Sequence, residues 1–181
     1  MTANGARSSL EGRAGDLERL GAREVPFLAQ IDLRIARSEA DPVPPFLPLE
    51  PDTWVGWIGR DVLWLGPDGW LVLDGTVATG PEGLVAELTT LLSGTHHSVV
   101  DVSANRTVLE LTGEDRYELL SVGCGVDLHP RSWREGMCTQ TLLARVPVIL
   151  QERSGATRLF VRPSYAGHLV DWLLAAAGWP E

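Results

Sequence analysis

Apolar and polar residues alternate over several short stretches of the chain, and this alternation predicts β-strands. In the run that ends at Ile35, Ile31 and Leu33 fall on the same face as Ile35 in an extended segment. Residues 61–73 consist of two apolar runs around the sequence Gly66-Pro-Asp-Gly69, which is typical of a β-hairpin because proline fixes one turn φ and glycine accepts a positive one. Similar patterns predict strands at 98–102, 107–111, 138–144, 146–151 and 158–161.

Three segments have helical spacing instead. Leucines recur at helical spacing over residues 84–92, with Pro81 near the start and a glycine just past the end. Thr112, followed three residues later by Asp115, resembles a capping box and predicts a short helix with Thr112 as its N-cap. A C-terminal helix is predicted over residues 164–177.

The order of these elements predicts an α+β fold with duplicated β-rich halves and packed helices. The small, polar residues 1–23 are expected to form a flexible N-terminal arm. Residues 24–181 are expected to form a single domain with two similar halves, about 24–95 and 96–181. Five prolines between residues 41 and 51 forbid a regular ladder and predict an extended connector.

Composition excludes several classes of function. The 181 residues carry a net charge of −9, and all 15 basic residues are arginines. Without lysine the chain cannot form a Schiff base, anchor pyridoxal phosphate or supply a P-loop lysine. The acidic balance and the lack of a basic run argue against nucleic-acid binding. There is no apolar stretch of membrane-spanning length and no signal peptide, and the two cysteines are isolated, so we expect a cytoplasmic protein outside the membrane.

Two groups of residues invite a chemical interpretation. His96 and His97 are adjacent, and on a strand they point to opposite faces, so a shared metal is not expected. Asp101, Ser103 and His129 could be imagined as a catalytic triad, but the chain has no nucleophile elbow. We therefore expect the two histidines to lie at a surface strand edge, and we expect the co-occurrence of Asp101, Ser103 and His129 to be a coincidence.

Cys124 is a better candidate nucleophile, because His129 follows five residues later and could act as its base. A cysteine between two glycines at a helix end is more often a small buried apolar residue. The Gly123-Cys-Gly125 sequence also lacks the third glycine of a dinucleotide fingerprint.

The chain is rich in tryptophan, a residue that is enriched in cores and at protein interfaces. Trp133 lies between Arg131 and Arg134 in a polar stretch, so these three residues are the candidate subunit contacts. The other six are Trp54, Trp57, Trp64, Trp70, Trp172 and Trp179.

The segment Ser121–Leu150 resembles a family signature. It resembles the signature of the gamma subunit of heterotetrameric sarcosine oxidase, which is similar to GC-x-x-DLHP-x-x-(F/W)-x-x-G-x-C-x-Q-T-x-L-A-x-V-x-V-x-L, with Trp133 at the aromatic position here. The flank Leu65–Asp68 with Trp70 resembles the LGPDEWL hairpin of that family, with Gly69 in place of the acidic residue. The resemblance covers roughly residues 50–177.

The resemblance implies a fold similar to the folate-binding domain of aminomethyltransferases. It also implies a non-catalytic subunit of a complex with alpha, beta and delta subunits, packed chiefly against alpha. That complex converts sarcosine, oxygen and water to glycine, formaldehyde and hydrogen peroxide, or to methylenetetrahydrofolate when tetrahydrofolate is present. FAD, FMN, NAD and tetrahydrofolate are expected on alpha and beta and zinc on delta. No catalytic, cofactor-binding or metal-binding residue is expected on this chain.

Two alternatives remain open at this stage. A stand-alone tetrahydrofolate-binding protein would need an acidic or aromatic anchor for the pterin. A cysteine-dependent enzyme would use Cys124 and His129.

Overall fold

The computed structural model describes residues 7–36, 44–76 and 80–178. In these ranges the helices are α1 (Ala14–Arg19), α2 (Gly80–Leu91), α3 (Arg116–Ser121) and α4 (Pro163–Ala176). The strands are β1 (Ala22–Glu24), β2 (Ala29–Ile35), β3 (Trp54–Trp57), β4 (Arg60–Gly66), β5 (Gly69–Asp74), β6 (His97–Asp101), β7 (Thr107–Thr112), β8 (Cys138–Leu143), β9 (Val146–Arg153) and β10 (Ala156–Val161). None of the described helices is both long and apolar enough to cross a membrane.

The chain divides into two compact units. The first unit contains the described residues up to Phe27, the segment Asn105–Glu135 and the residues from Gln140 onward. The second unit contains Leu28–Ala104 and the short segment Gly136–Thr139. The boundary therefore lies later than the expected division after residue 95, and each unit borrows a segment from outside the expected half.

The second unit is built on a five-stranded antiparallel sheet of order β3-β4-β5-β2-β6. Val72 of β5 lies opposite Ile31 of β2 and Val62 of β4, and all three side chains are buried. These residues share one face of the sheet because residues directly opposite each other on neighbouring strands point to the same side. The core cluster contains Ile31, Leu33, Ile35, Phe46, Leu47, Val62, Trp70, Val72, Leu84, Leu88 and Leu92.

The proline-rich connector contributes to this core where it is described. It carries no regular ladder, as expected, but Phe46 and Leu47 are buried. The indole N–H of Trp70 donates a hydrogen bond of 2.8 Å to the carbonyl of Pro48. Pro42 lies outside the described residues.

The first unit repeats the same topology. Its antiparallel sheet has the order β1-β7-β10-β9-β8. In each unit three consecutive strands form a meander, β3–β5 in one and β8–β10 in the other. The long strand that precedes the meander, β2 or β7, pairs with its last strand. A further strand, β6 or β1, pairs with the other edge of that long strand. A helix follows the meander in each, α2 in one and α4 in the other. The prediction of an α+β fold with duplicated β-rich halves is confirmed.

The flexible arm expected over residues 1–23 is wrong for the described part of that range. The side chains of Leu10, Leu17 and Leu20 are buried, and β1 pairs with β7. Arg13 also donates a hydrogen bond of 2.5 Å to Asp171 of α4. Residues 7–23 are ordered because their leucines bury apolar surface and their backbone completes the sheet.

The expected N-cap of the third helix is also wrong. Thr112 is the last residue of β7, and its hydroxyl donates to the carbonyl of Gly21 at 2.9 Å. The strand persists to this point because Thr112 lies opposite Ala156 of β10. The helix α3 therefore begins only at Arg116, after Asp115.

Candidate functional site: the Ser121–Leu150 segment

The segment begins with a turn that is tightly packed against α4. The amide groups of Gly123 and Cys124 both donate to the carbonyl of Leu120, at 3.2 and 3.0 Å, and end α3. A Cβ atom at Gly123 would lie 2.5 Å from Cη2 and 2.7 Å from Cζ2 of Trp172. Only glycine therefore fits beneath the Trp172 ring.

Asp127 closes the next turn. Its carboxylate accepts the amide N–H of His129 at 3.0 Å. The hydrogen bond from the Ser132 side chain, followed by that amide bond, holds the pKa of Asp127 below its ordinary value. Asp127 thus stabilises a turn through a hydrogen bond to the backbone two residues later.

The loop continues over a buried tryptophan. The amides of Ser132 and Trp133 both donate to the carbonyl of His129 at 2.8 Å. The Trp133 side chain is only 2% exposed, whereas Arg131 and Arg134 on either side of it are exposed. Neither guanidinium has an ion-pair partner in the part of the chain that the structure describes.

The indole N–H of Trp133 belongs to a buried polar network that the sequence did not predict. Its indole N–H donates to Oε2 of Glu152 at 2.8 Å. Oε1 of the same carboxylate accepts from Arg116 and from the Tyr117 hydroxyl, both at 2.7 Å, and Thr157 donates to Oε2. Glu152 thus satisfies four donors. From the sequence one could expect only that a buried indole N–H has an acceptor, and the sequence does not indicate which residue provides it.

Cys124 and His129 line one surface groove of about 750 Å³ together with Tyr117, Asp127 and Pro130. The structure brings the two candidate reactive residues to one place. His129 is already engaged, because its Nδ1 accepts the amide N–H of Arg131 at 3.2 Å. Among the described residues no hydrogen bond joins Cys124 to His129, so His129 is not held against the thiol as its base.

The second cysteine, Cys138, belongs to the second unit and is a poor candidate nucleophile. Its thiol is buried and donates to the carbonyls of Thr53 and Trp64, at 3.1 and 3.6 Å. Burial raises the pKa of Cys138 to about 12. A thiol with this pKa is almost entirely protonated at neutral pH and is a poor nucleophile.

The imagined triad does not form around Ser103. Its hydroxyl and its amide donate to Oδ1 of Asp101, at 2.5 and 2.9 Å, and its Oγ accepts the amide of Gln30 at 3.0 Å. These bonds close a local turn and tie it to β2. His97 is likewise occupied, with Nδ1 at 2.8 Å from the carbonyl of Thr95. Within the described ranges no three His, Cys, Asp or Glu residues are arranged to hold a metal ion.

A family model for the sarcosine oxidase gamma subunit matches residues 51–178. The chain belongs to this family. A sarcosine oxidase subunit gamma from Corynebacterium sp. (strain P-1) is 37% identical over 165 residues, which cover 85% of this chain and 78% of that protein. The relative from Arthrobacter sp is 41% identical over 120 residues, covering 65% of this chain and 57% of the relative.

Solved structures give the same relationship for the fold. A chain of the heterotetrameric sarcosine oxidase from Corynebacterium sp. U-96, solved with pyrrole 2-carboxylate, superposes with a TM-score of 0.81 and 30% identity. The match covers 96% of this chain and 95% of that chain. The aminomethyltransferase T from Bartonella henselae has a TM-score of 0.62 at 12% identity, over 92% of this chain and 49% of its own. This chain therefore shares its fold with about half of that aminomethyltransferase chain.

Proposed function

We propose that this chain is a non-catalytic subunit of a heterotetrameric sarcosine oxidase that also contains alpha, beta and delta subunits. The complex would oxidise sarcosine with oxygen and water to glycine, formaldehyde and hydrogen peroxide, or form methylenetetrahydrofolate from tetrahydrofolate. The carrying observation is that the family signature is built into scaffold contacts. Gly123 packs under Trp172, Asp127 caps a turn and Trp133 is bonded to Glu152.

Cofactors are proposed to lie on the partners, with FAD, FMN, NAD and tetrahydrofolate on alpha and beta and zinc on delta. Two side chains of the signature that could perform chemistry are engaged in other ways. His129 accepts an amide at Nδ1, and the Cys138 thiol is buried. A cytoplasmic location is proposed in the same way, supported by two cysteines that are both free thiols.

Expression of the chain with and without the other three subunits tests this proposal. The isolated chain is expected to be colourless and inactive, whereas the four-subunit complex contains flavin and produces hydrogen peroxide from sarcosine. Omission of this chain alone is expected to lower the yield or the thermal stability of the complex. Turnover of sarcosine by the isolated chain would contradict the proposal.

We further propose that the loop around Trp133 contacts the alpha subunit through Arg131 and Arg134. Both guanidinium groups are exposed, and the buried Trp133 fixes the loop that carries them. Arginine is favoured at protein interfaces because its planar group makes several hydrogen bonds.

The double substitution Arg131→Glu with Arg134→Glu should weaken assembly with alpha. Arg7→Glu is a control, because Arg7 is also exposed and its partner Glu11 is 3.7 Å away at the surface. Co-purification with a tagged alpha subunit measures the effect. Equal recovery of the double variant and the control would place the interface elsewhere.

A further inference from the structure

The hairpin formed by β3 and β4 turns through an isoleucine with left-handed backbone geometry. Trp57 pairs with Arg60, so Ile58 and Gly59 are the two central residues of the turn. Their φ angles are +49° and +76°. Positive φ at both central residues is the mark of a type I′ turn, where Asn or Asp is preferred before glycine. A β-branched residue in this region is an outlier, because its Cβ substituents crowd the backbone.

The Ile58 side chain gains little within the chain in return for this strain. It is 79% exposed, which is the largest exposure of any large apolar side chain in the described ranges. Val55 on the same hairpin is also exposed, and Gly56 has no side chain to cover either of them. A strained residue with no internal role is a mark of functional positions.

The duplicated topology supplies an internal comparison. The turn between β8 and β9 occupies the same place in the first unit, and its central residues Ala144 and Arg145 have φ angles of +51° and +66°. The turn geometry is therefore a property of the fold, whereas the large apolar side chain is particular to the β3–β4 hairpin. Phe27 also combines positive φ with exposure, but it has no such counterpart.

We propose that Ile58 is an interface anchor that inserts into an apolar pocket on another subunit of the complex. This inference rests on the proposed function. The occupant is a different subunit because the superposed chain, which matches 96% of this one, is part of a heterotetramer. A few side chains that fill well-packed, desolvated pockets near the centre of an interface carry most of its binding energy, and a hairpin tip can reach such a pocket.

Competition for the partner subunits tests the anchor. A wild-type chain and a variant are co-expressed with limiting amounts of the other three subunits, and mass spectrometry measures their ratio in the purified complex. Ile58→Asn suits the turn but removes the apolar contact, and it should be under-represented about tenfold. Ile58→Leu keeps an apolar side chain and should remain close to the wild type. Ala144→Asn makes the same backbone adjustment at the counterpart turn and should also compete equally.

A stability measurement separates a lost contact from misfolding. Protease resistance of the unassembled chain in cell extract is followed along a temperature gradient. Relief of the strained φ should raise the midpoint for Ile58→Asn by about 2–4 °C, while assembly falls. A variant that loses both stability and assembly would assign Ile58 a structural role and overturn the inference.

The remaining outcomes are also distinct. Equal competition by Ile58→Asn would overturn the anchor while the proposed function stands. Failure of the wild-type chain itself to enter the complex would contradict the proposed function. If light scattering shows a wild-type dimer that Ile58→Asn abolishes, with assembly unchanged, the pocket belongs to a second copy of this chain.

Discussion

At the scale of single residues, Gly123 and Gly125 have different surroundings although they lie on either side of one cysteine. A methyl group at Gly123 would overlap the Trp172 ring, whereas a methyl group at Gly125 meets nothing within 4 Å. Gly123→Ala should therefore destabilise the chain by about 1–3 kcal/mol, as overpacking does, and lower Tm by several degrees. Gly125→Ala is the matched control and should leave Tm nearly unchanged. Thermal unfolding of the assembled complex compares the two, and equal effects would contradict the packing argument.

Glu152 offers a second test at the same scale. Its carboxylate is 2% exposed and pairs with Arg116, which is 7% exposed. Glu152→Gln keeps the volume but leaves a buried guanidinium without its counter-charge, so the free energy of unfolding should fall by about 3–5 kcal/mol. Glu11→Gln removes one partner of an exposed pair and should change it by less than about 1 kcal/mol. Denaturant unfolding measures both. A loss below about 1 kcal/mol for Glu152→Gln would show that the network contributes little.

At the scale of elements, Arg60 joins two strands and a helix of the second unit. From the start of β4 its Nε donates to Asp74 at the end of β5 at 2.9 Å. Its two terminal nitrogens donate to Glu87 of α2, each at 2.7 Å, and its guanidinium lies 5.2 Å from the centre of the Trp57 ring. This bidentate geometry fixes α2 against the sheet.

The same contacts make stability depend on pH. The Arg60 hydrogen bond lowers the pKa of Glu87. Burial opposes ionisation of Asp74, but hydrogen bonds from Thr76 and Arg60 outweigh it and lower the pKa of Asp74 as well. A lowered folded-state pKa gives stabilisation that is complete above the unfolded pKa of about 4 and is lost as the pH falls below it.

Asp74→Asn should therefore lower stability by about 1.5–3 kcal/mol at pH 7 and flatten the acid limb of the stability curve. Asp68→Asn is a control, because that carboxylate is 60% exposed and lies 3.4 Å from Arg34. Denaturant unfolding between pH 7 and 3 measures the curves. Parallel acid limbs for Asp74→Asn and the wild type would contradict the assignment.

The sequence predicts most of these elements because their signals are local. The hairpin over residues 61–73 and the helix that ends near Leu91 follow from alternation, turn residues and helical spacing within each segment. The strand β1 does not, because it has three residues and its partner Leu111 is far along the chain. A short strand of this kind is specified by its partner rather than by its own pattern. The order of residues 7–23 could not be found for the same reason.

The candidate site divides along the same line. The turn at Asp127 is predictable, since a short acidic side chain bonds an amide two residues away. The buried indole N–H of Trp133 needs Glu152 as its acceptor, and the requirement for glycine at position 123 comes from the ring of Trp172. Both partners are distant in sequence. Neither composition nor spacing indicates those partners. The signature alone could therefore indicate the family without indicating what its residues do.

At the scale of the whole molecule, the two units share one topology without an exact sequence repeat. Each places a long strand beside the last strand of a meander and adds a helix after it. Strand order survives because it depends on the apolar pattern and the turns, which many sequences satisfy. The 12% identity to an aminomethyltransferase of the same fold illustrates this tolerance. Function in this family has to be sought in particular contacts rather than in the architecture.

The short segment Gly136–Thr139 provides a probe of that organisation, because it leaves the first unit and belongs to the second. Its backbone is held there by hydrogen bonds of 2.8 Å from Trp54 to the carbonyl of Gly136 and from Cys138 to the carbonyl of Asp52. The Cys138 thiol can react only when these contacts open. Its raised pKa of about 12 would also leave on the order of a thousandfold less thiolate than an ordinary thiol of pKa about 8.5.

A Cys124→Ser variant, which keeps Cys138 as its single thiol, should therefore resist iodoacetamide at pH 8 under native conditions. Labelling should begin only at denaturant concentrations that also release amide exchange in β3 and β4, because the thiol donates to the carbonyl of Thr53, which immediately precedes β3, and to that of Trp64 in β4. The reciprocal Cys138→Ser variant, with the half-buried Cys124, should label under native conditions. Mass spectrometry of the labelled chains measures both rates. Fast native labelling of Cys138 would mean that the segment opens independently, and the second unit would then not depend on it.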